Sequence, residues 1–139
     1  MILRWLLDIG VVALGGALGA SARYGVAQAV GAWLKAHPLA LPAATLLVNI
    51  VGCLAIGLVL PWLVARESDG GAAHARLLLV VGVLGALTTY STFGYETLAL
   101  WRDGRSGLAV AFVLGHLVLG LGAVGVGVWF GQRLVPAAG

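Results

Sequence analysis

The sequence predicts an all-α integral membrane protein: four transmembrane helices in a single domain. Three observations carry this. First, 61% of the 139 residues are hydrophobic and 9% are charged, with a mean hydropathy of +1.06. Soluble domains carry about 25% charged residues, and a chain this short has no interior large enough to hide so much apolar surface. Second, the apolar residues fall into four runs, each reaching the roughly 20 residues that a bilayer requires. Third, Gly85-Ala-Leu-Thr-Thr-Tyr-Ser-Thr-Phe93 sets four hydroxyl residues inside an otherwise apolar segment. In hydrocarbon every polar side chain must be satisfied or used. Thr88, Thr89, Ser91 and Thr92 at mid-membrane depth therefore point to a broken helix, an ion site or a pore wall.

The first span reads from about residue 5 to 34. Arg4, the apolar run and Ala20-Ser-Ala22 imitate a cleavable signal peptide, but Asp8 interrupts the early segment and the pattern continues past Ala22. Gly15 and Gly19 have the spacing that lets transmembrane helices approach closely. Arg23, 18 residues after Trp5, is deep enough to need carbonyl or carboxylate partners, or to snorkel to the far interface.

The second span reads from about 41 to 65. Thr45 and Asn49 share a face, continued by Gly52 and Ile56. Asn49 is the only asparagine. It is either a hydrogen-bonding link between helices or a pore donor. The third span, about 75 to 101, carries the hydroxyl cluster and then Glu96, which either faces a water-filled vestibule or pairs near the membrane edge. The fourth span, about 107 to 131, is rich in glycine, with Gly127 and Gly131 again four apart. Phe112 and His116 share one of its faces. A lone intramembrane histidine is most often a structural hydrogen-bonding residue, and otherwise part of an ion path.

The connectors Lys35-Ala-His-Pro38, Arg66-Glu-Ser-Asp-Gly-Gly71 and Arg102-Asp-Gly-Arg-Ser106 are short and polar. All five tryptophans (Trp5, Trp33, Trp62, Trp101, Trp129) fall near span ends, where amphipathic rings anchor at the lipid–water boundary. With four spans, Arg4, Arg66, Arg76 and Arg133 share one side of the membrane, and Lys35, Arg102 and Arg105 the other. A four-against-three split gives almost no topological instruction. Either the chain inserts both ways, which would permit an antiparallel dimer, or a feature other than charge sets one orientation.

Several chemistries have no support. The net charge of +3 is scattered, without the basic run of a nucleic-acid face. The single cysteine, Cys53, excludes disulfides and zinc clusters within the chain. His37, His74 and His116 form no spaced metal motif. Ser91 and His116 lack a nearby aspartate for a hydrolytic triad, since Asp8, Asp69 and Asp103 all lie near span ends; no enzyme is expected.

Three motifs in order resemble the Fluc (CrcB) family of fluoride channels: Gly15-Gly-Ala-Leu-Gly-Ala-Ser-Ala-Arg-Tyr24, Thr45-Leu-Leu-Val-Asn49-Ile-Val-Gly52, and Gly82-Val-Leu-Gly-Ala-Leu-Thr-Thr-Tyr-Ser-Thr-Phe93-Gly-Tyr-Glu96. The resemblance covers essentially the whole chain. It implies a passive fluoride channel in the prokaryotic plasma membrane, assembled as a dual-topology antiparallel homodimer with two pores. It also implies one structural sodium ion at the two-fold axis, held by the backbone carbonyls of Gly85 and Thr88 in the broken third helix. The pore asparagine falls on Asn49 and the two pore phenylalanines on Tyr90 and Phe93. The vestibule acid falls on Glu96 and the first-helix arginine on Arg23. Thr45, Ser91, Thr92, Phe112 and His116 complete the expected fluoride path.

Fluoride is small and strongly hydrated, so entry demands donors that replace water. Amide and hydroxyl hydrogens can do so, and the positive edges of aromatic rings can meet an anion without trapping it. The chain departs from the family pattern at Tyr90, usually Phe; at Phe112, usually Tyr; and at His116, usually Ser. Gly120 and Gly122 stand where hydroxyls are common. A neutral His116 is expected to donate one hydrogen bond in place of the serine, and a protonated one to hold fluoride too long. Some family members are heterodimers, so a non-conducting partner subunit is one alternative. The other is a small proton-coupled cation exporter, which would need a mid-membrane carboxylate on the first helix.

Overall fold

A segment inside hydrocarbon has no water to satisfy its peptide groups, so apolar runs of this length must close their hydrogen bonds internally as helices. The computed structural model describes residues 1–35, 37, 39–66 and 71–135. The connectors expected at 35–38 and 66–71 therefore lie partly outside the described residues. Those residues form helices and no strand: α1 (Ile2–Trp33), α2 (Ala40–Val64), α3 (residues 72–87), α4 (Tyr90–Arg102) and α5 (Ser106–Arg133). α3 and α4 together make the third span, residues 72–102, so four helical units are long and apolar enough to cross a membrane. α1, at 32 residues, is about 48 Å long against a hydrocarbon core of about 30 Å, so it extends into the interface or tilts.

Close packing follows the glycines. A Cβ at Gly15 would collide with the Leu78 carbonyl of α3, and one at Gly19 with that of Val83. Gly82 answers from the other side, where an added Cβ would lie 2.8 Å from the Gly15 Cα. Residues Leu77–Leu84 of this contact wind as a π-helix. α2 meets α5 in the same manner: a Cβ at Gly57 would lie 3.0 Å from the Gly127 Cα, and Gly131 abuts the carbonyls of Gly57 and Leu58. The two glycine pairs read from spacing thus mark backbone-to-backbone contacts, whereas Gly16, Gly122 and Gly125 meet nothing within 4 Å. The small buried cluster of Leu100, Ala109 and Phe112, flanked by Leu46 and Phe93, ties α4 to α5 and α2. Most other large apolar side chains face outward, as lipid-facing residues must.

The third span breaks at two residues. The helix continues through Gly85–Leu87. Thr88 (φ −79°, ψ 154°) and Thr89 (φ −150°, ψ 111°) are then extended, and α4 starts at Tyr90. Thr89 caps α4, its Oγ1 accepting the Thr92 N–H at 3.3 Å. β-branched hydroxyl residues are poor in a helix interior and good at its N-cap, which is why the chain parts here.

Candidate functional site

The break is held by a side chain from another helix. The Asn49 Oδ1 on α2 accepts the Thr89 N–H at 2.8 Å, and its Nδ2 donates to the Thr89 carbonyl at 3.2 Å. In an unbroken helix the Thr89 N–H would go to the Gly85 carbonyl, and the Thr92 N–H to that of Thr88. Both donors are engaged elsewhere. The carbonyls of Gly85 and Thr88 are thereby released from α-helical pairing at the C-terminal end of α3. On the other side, α4 begins with the N–H groups of its first turn, of which that of Thr92 is capped by Thr89, and with the positive end of its dipole.

Hydroxyls organise the turn. Thr89 Oγ1 lies 2.9 Å from Thr92 Oγ1 and 3.3 Å from Ser91 Oγ, and Thr88 Oγ1 donates to the Leu84 carbonyl at 2.9 Å. Thr89 is buried at 8% exposure and is the hub of this network. It stood within the hydroxyl cluster but not among the expected pore residues. The signal that could have found it is a threonine three residues ahead of Thr92 at the start of a helical run, the spacing of an N-cap.

Two cavities flank the break. The first, about 420 Å³, is lined by Asn49, Cys53, Thr88, Tyr90, Phe93 and His116, with Gly85 and small or apolar neighbours. Phe93 is its pivot: its ring centroid is 5.6 Å from Tyr90, 5.6 Å from Phe112 and 4.4 Å from His116. Phe112 is buried behind this wall, at 4.5 Å from His116 in edge-to-face geometry. Its own carbonyl lies 2.9 Å from His116 Nδ1. The imidazole N–H expected to serve as a donor is spent on that carbonyl, because an oxygen acceptor with no hydrogen demands it.

The second cavity, about 260 Å³, is lined by Arg23, Thr45, Thr89, Thr92 and Glu96 with alanines and Tyr24. Glu96 is buried, its Oε1 accepting the Thr45 hydroxyl at 3.0 Å. Its Oε2 is buried with no partner among the described residues. Arg23 shares the cavity, yet among the described residues the one contact within 4.0 Å between a basic side chain and a carboxylate is that of His74 Nε2 with Asp8 Oδ1, at 3.6 Å between α3 and α1. Ser91 lines neither cavity and is exposed at the break. The structure thus brings Asn49, Tyr90, Phe93 and His116 together on one side of Thr89, and Thr45, Thr92, Glu96 and Arg23 on the other.

Two half-helices meeting end to end inside a membrane-spanning bundle, with freed carbonyls on one side and freed N–H groups on the other, define a multi-pass protein of ion transport. The comparisons give the particular family. Residues 10–128 match the family described as CrcB-like protein, Camphor Resistance (CrcB). A relative from Paracoccus denitrificans (strain Pd 1222), named fluoride-specific ion channel FluC, is 45% identical over 123 residues, 88% of this chain and 93% of the relative. Relatives of the same name from Hyphomonas neptunium and Chloroflexus aurantiacus (strain ATCC 29366 / DSM 635 / J-10-fl) are each 41% identical, over 89% of this chain and 94% and 98% of their own lengths. The chain belongs to the CrcB family, a family of bacterial membrane channels and not of enzymes.

Proposed function

We propose that this chain is a passive fluoride channel, built as an antiparallel homodimer around a structural sodium ion, that exports fluoride across the prokaryotic plasma membrane. The observation that carries the reading is the Asn49–Thr89 clamp. It keeps a helix start open beside a cavity walled by aromatic rings. The names of the relatives supply the ion. One Asn49 Nδ2 hydrogen is used on Thr89, and the other is free to meet an anion. The edges of Phe93 and Tyr90 offer weak positive potential in the same cavity, and the α4 dipole favours negative charge at its N-terminus.

A second copy of the chain would cover what this one leaves open. Gly85, Tyr90, Ser91 and Gly94 are exposed around the break, Tyr90 at 85%. A polar break cannot face lipid, and the even split of basic residues allows the partner to insert upside down.

The sodium ion fits the donors present. No group of three His, Cys, Asp or Glu side chains could hold a metal among the described residues, and hard cations accept carbonyl oxygens. The freed carbonyls of Gly85 and Thr88 would hold it, and Gly85 is exposed toward the face a second copy would cover. Such an ion would brace the four half-helix ends with a charge set apart from the anion path.

Fluoride efflux from liposomes containing the purified protein alone tests the reading. Electrogenic, proton-independent efflux is expected. Phe93→Ile should abolish it while leaving the dimer folded, because the ring edge goes and the apolar volume stays. No efflux from the protein alone, with recovery on adding a homologous subunit, would make this chain a partner in a heterodimer. Proton-driven cation movement would favour an exporter.

A further inference from the structure

Gly52 makes room for one side chain. An added Cβ there would collide with the Thr88 Cγ2 and lie 3.7 Å from the Thr88 Cβ, and outside its own helix it meets nothing else within 4 Å. The glycines of the α1–α3 and α2–α5 contacts differ, because a Cβ on them would strike backbone. Gly52 is therefore a notch for the Thr88 methyl group. It is buried, and it lies three residues after Asn49 on the same face of α2.

The methyl group is aimed by the hydroxyl beside it. Thr88 Oγ1 donates to the Leu84 carbonyl at 2.9 Å, which fixes χ1, and in a β-branched side chain that one angle places both branches. The side chain of Thr88 is thus held by Leu84 and Gly52. The next N–H, that of Thr89, is held by Asn49 Oδ1 at 2.8 Å. The Thr88 carbonyl and the Thr89 N–H belong to one planar trans peptide unit and point opposite ways. With the N–H directed at α2, the carbonyl is directed away from it. Two residues on one face of α2 therefore set the direction of a carbonyl in the break.

We propose that Gly52 is the positioning residue of the sodium site: by seating the Thr88 methyl group, it fixes the direction of the Thr88 carbonyl. The inference rests on the sodium reading and adds to it a residue that touches no ion. With a Cβ at position 52, Thr88 must turn about χ1 and give up the Leu84 carbonyl, or carry its backbone away from α2. Either movement turns the peptide unit whose oxygen would hold the ion.

Two arms test it. The first compares the unfolding temperature in sodium chloride with that in N-methylglucamine chloride of equal ionic strength. An ion that binds only the folded state raises stability by mass action, so the wild type should unfold at a higher temperature in sodium. Gly52→Ala should lose most of this sodium-dependent rise, where a packing defect alone would lower both temperatures equally. Combining Gly52→Ala with Thr88→Ser moves one methyl group across the contact and keeps the hydroxyl, a volume-conserving exchange. The double variant should recover the rise. A full rise in Gly52→Ala would overturn the inference, as would a double variant without one while the wild type has it. If Gly52→Ala does not fold, the double variant decides by the same criterion.

The second arm needs no sodium. The carbon-13 resonance of the labelled Thr88 carbonyl, recorded in N-methylglucamine chloride, should move in Gly52→Ala and return towards its wild-type position in the double variant. An unmoved resonance in Gly52→Ala, or a displaced one in the double variant, would overturn the inference. If the wild type shows no sodium-dependent rise, the sodium reading falls on the first arm, and the second alone decides whether Gly52 sets the Thr88 carbonyl.

Discussion

The Asn49 side-chain amide is hydrogen-bonded to both backbone polar groups of Thr89, accepting from its N–H at 2.8 Å and donating to its carbonyl at 3.2 Å. A side chain of α2 thus stands in for the helical partners that Thr89 would otherwise have. A peptide unit left without them in hydrocarbon would be costly, so the break persists because a primary amide, with one acceptor and two hydrogens, is placed opposite it.

Removal of that amide should therefore be felt at Thr89 itself. Asn49→Ala is expected to speed hydrogen exchange of the Thr89 amide and to destabilise the fold by about 1–3 kcal/mol. Asn49→Asp keeps an acceptor for the Thr89 N–H, so exchange there should stay slow while the Thr89 carbonyl loses its donor. Unchanged exchange in the alanine variant would mean that the clamp does not hold the break.

The Thr45–Glu96 hydrogen bond gives a second, independent measurement. Thr45→Val conserves shape and removes the hydroxyl, leaving both oxygens of the buried carboxyl unpartnered. Thermal unfolding should show a loss of about 1–3 kcal/mol, and Thr45→Ser should recover most of it. Equal stability of the valine and serine variants would remove Thr45 as the partner of Glu96.

Glycine substitutions separate contact from composition. Gly19→Ala drives a methyl group into the Val83 carbonyl and should cost about 1–3 kcal/mol by overpacking. Gly16, three positions away, has nothing within 4 Å of an added Cβ, and Gly16→Ala should be neutral or slightly stabilising. The same midpoint shift for both would contradict the α1–α3 contact.

The orientation of the chain can be read from one exposed site. In a Cys53→Ala background, Ser106→Cys at the start of α5 should react with a membrane-impermeant thiol reagent from each side of the bilayer, about half the molecules from each. Reaction from a single side would end the antiparallel proposal. Sodium should add a stability term by mass action, so the unfolding temperature should be higher in sodium chloride than in N-methylglucamine chloride of equal ionic strength.

Much of the architecture was legible in the order of residues. Span length, tryptophan placement and the hydroxyl cluster at 88–92 each express a bilayer constraint that acts on local sequence. The pairs Gly15/Gly19 and Gly127/Gly131 were legible for the same reason: helical periodicity puts residues four apart on one face. Thr89 escaped, because whether a hydroxyl caps, lines a cavity or bonds its neighbour depends on a backbone direction that composition does not encode. The unpaired company of Arg23 and Glu96 in one cavity also lay beyond reach, since it joins α1 to α4 across more than half the chain.

The sequence by itself determined that this is a four-span membrane protein with a polar interruption in its third span, since hydrophobic length and the cost of buried hydroxyls are local quantities. Only the tertiary structure decided what the polar side chains do. Asn49 could have joined two helices or faced an ion, and its distance to Thr89 showed which backbone it holds. His116 was expected to face an ion, and its Nδ1 lies 2.9 Å from the carbonyl of Phe112 on its own helix. A hydrogen bond joins two groups, and the sequence names each without stating which two will meet.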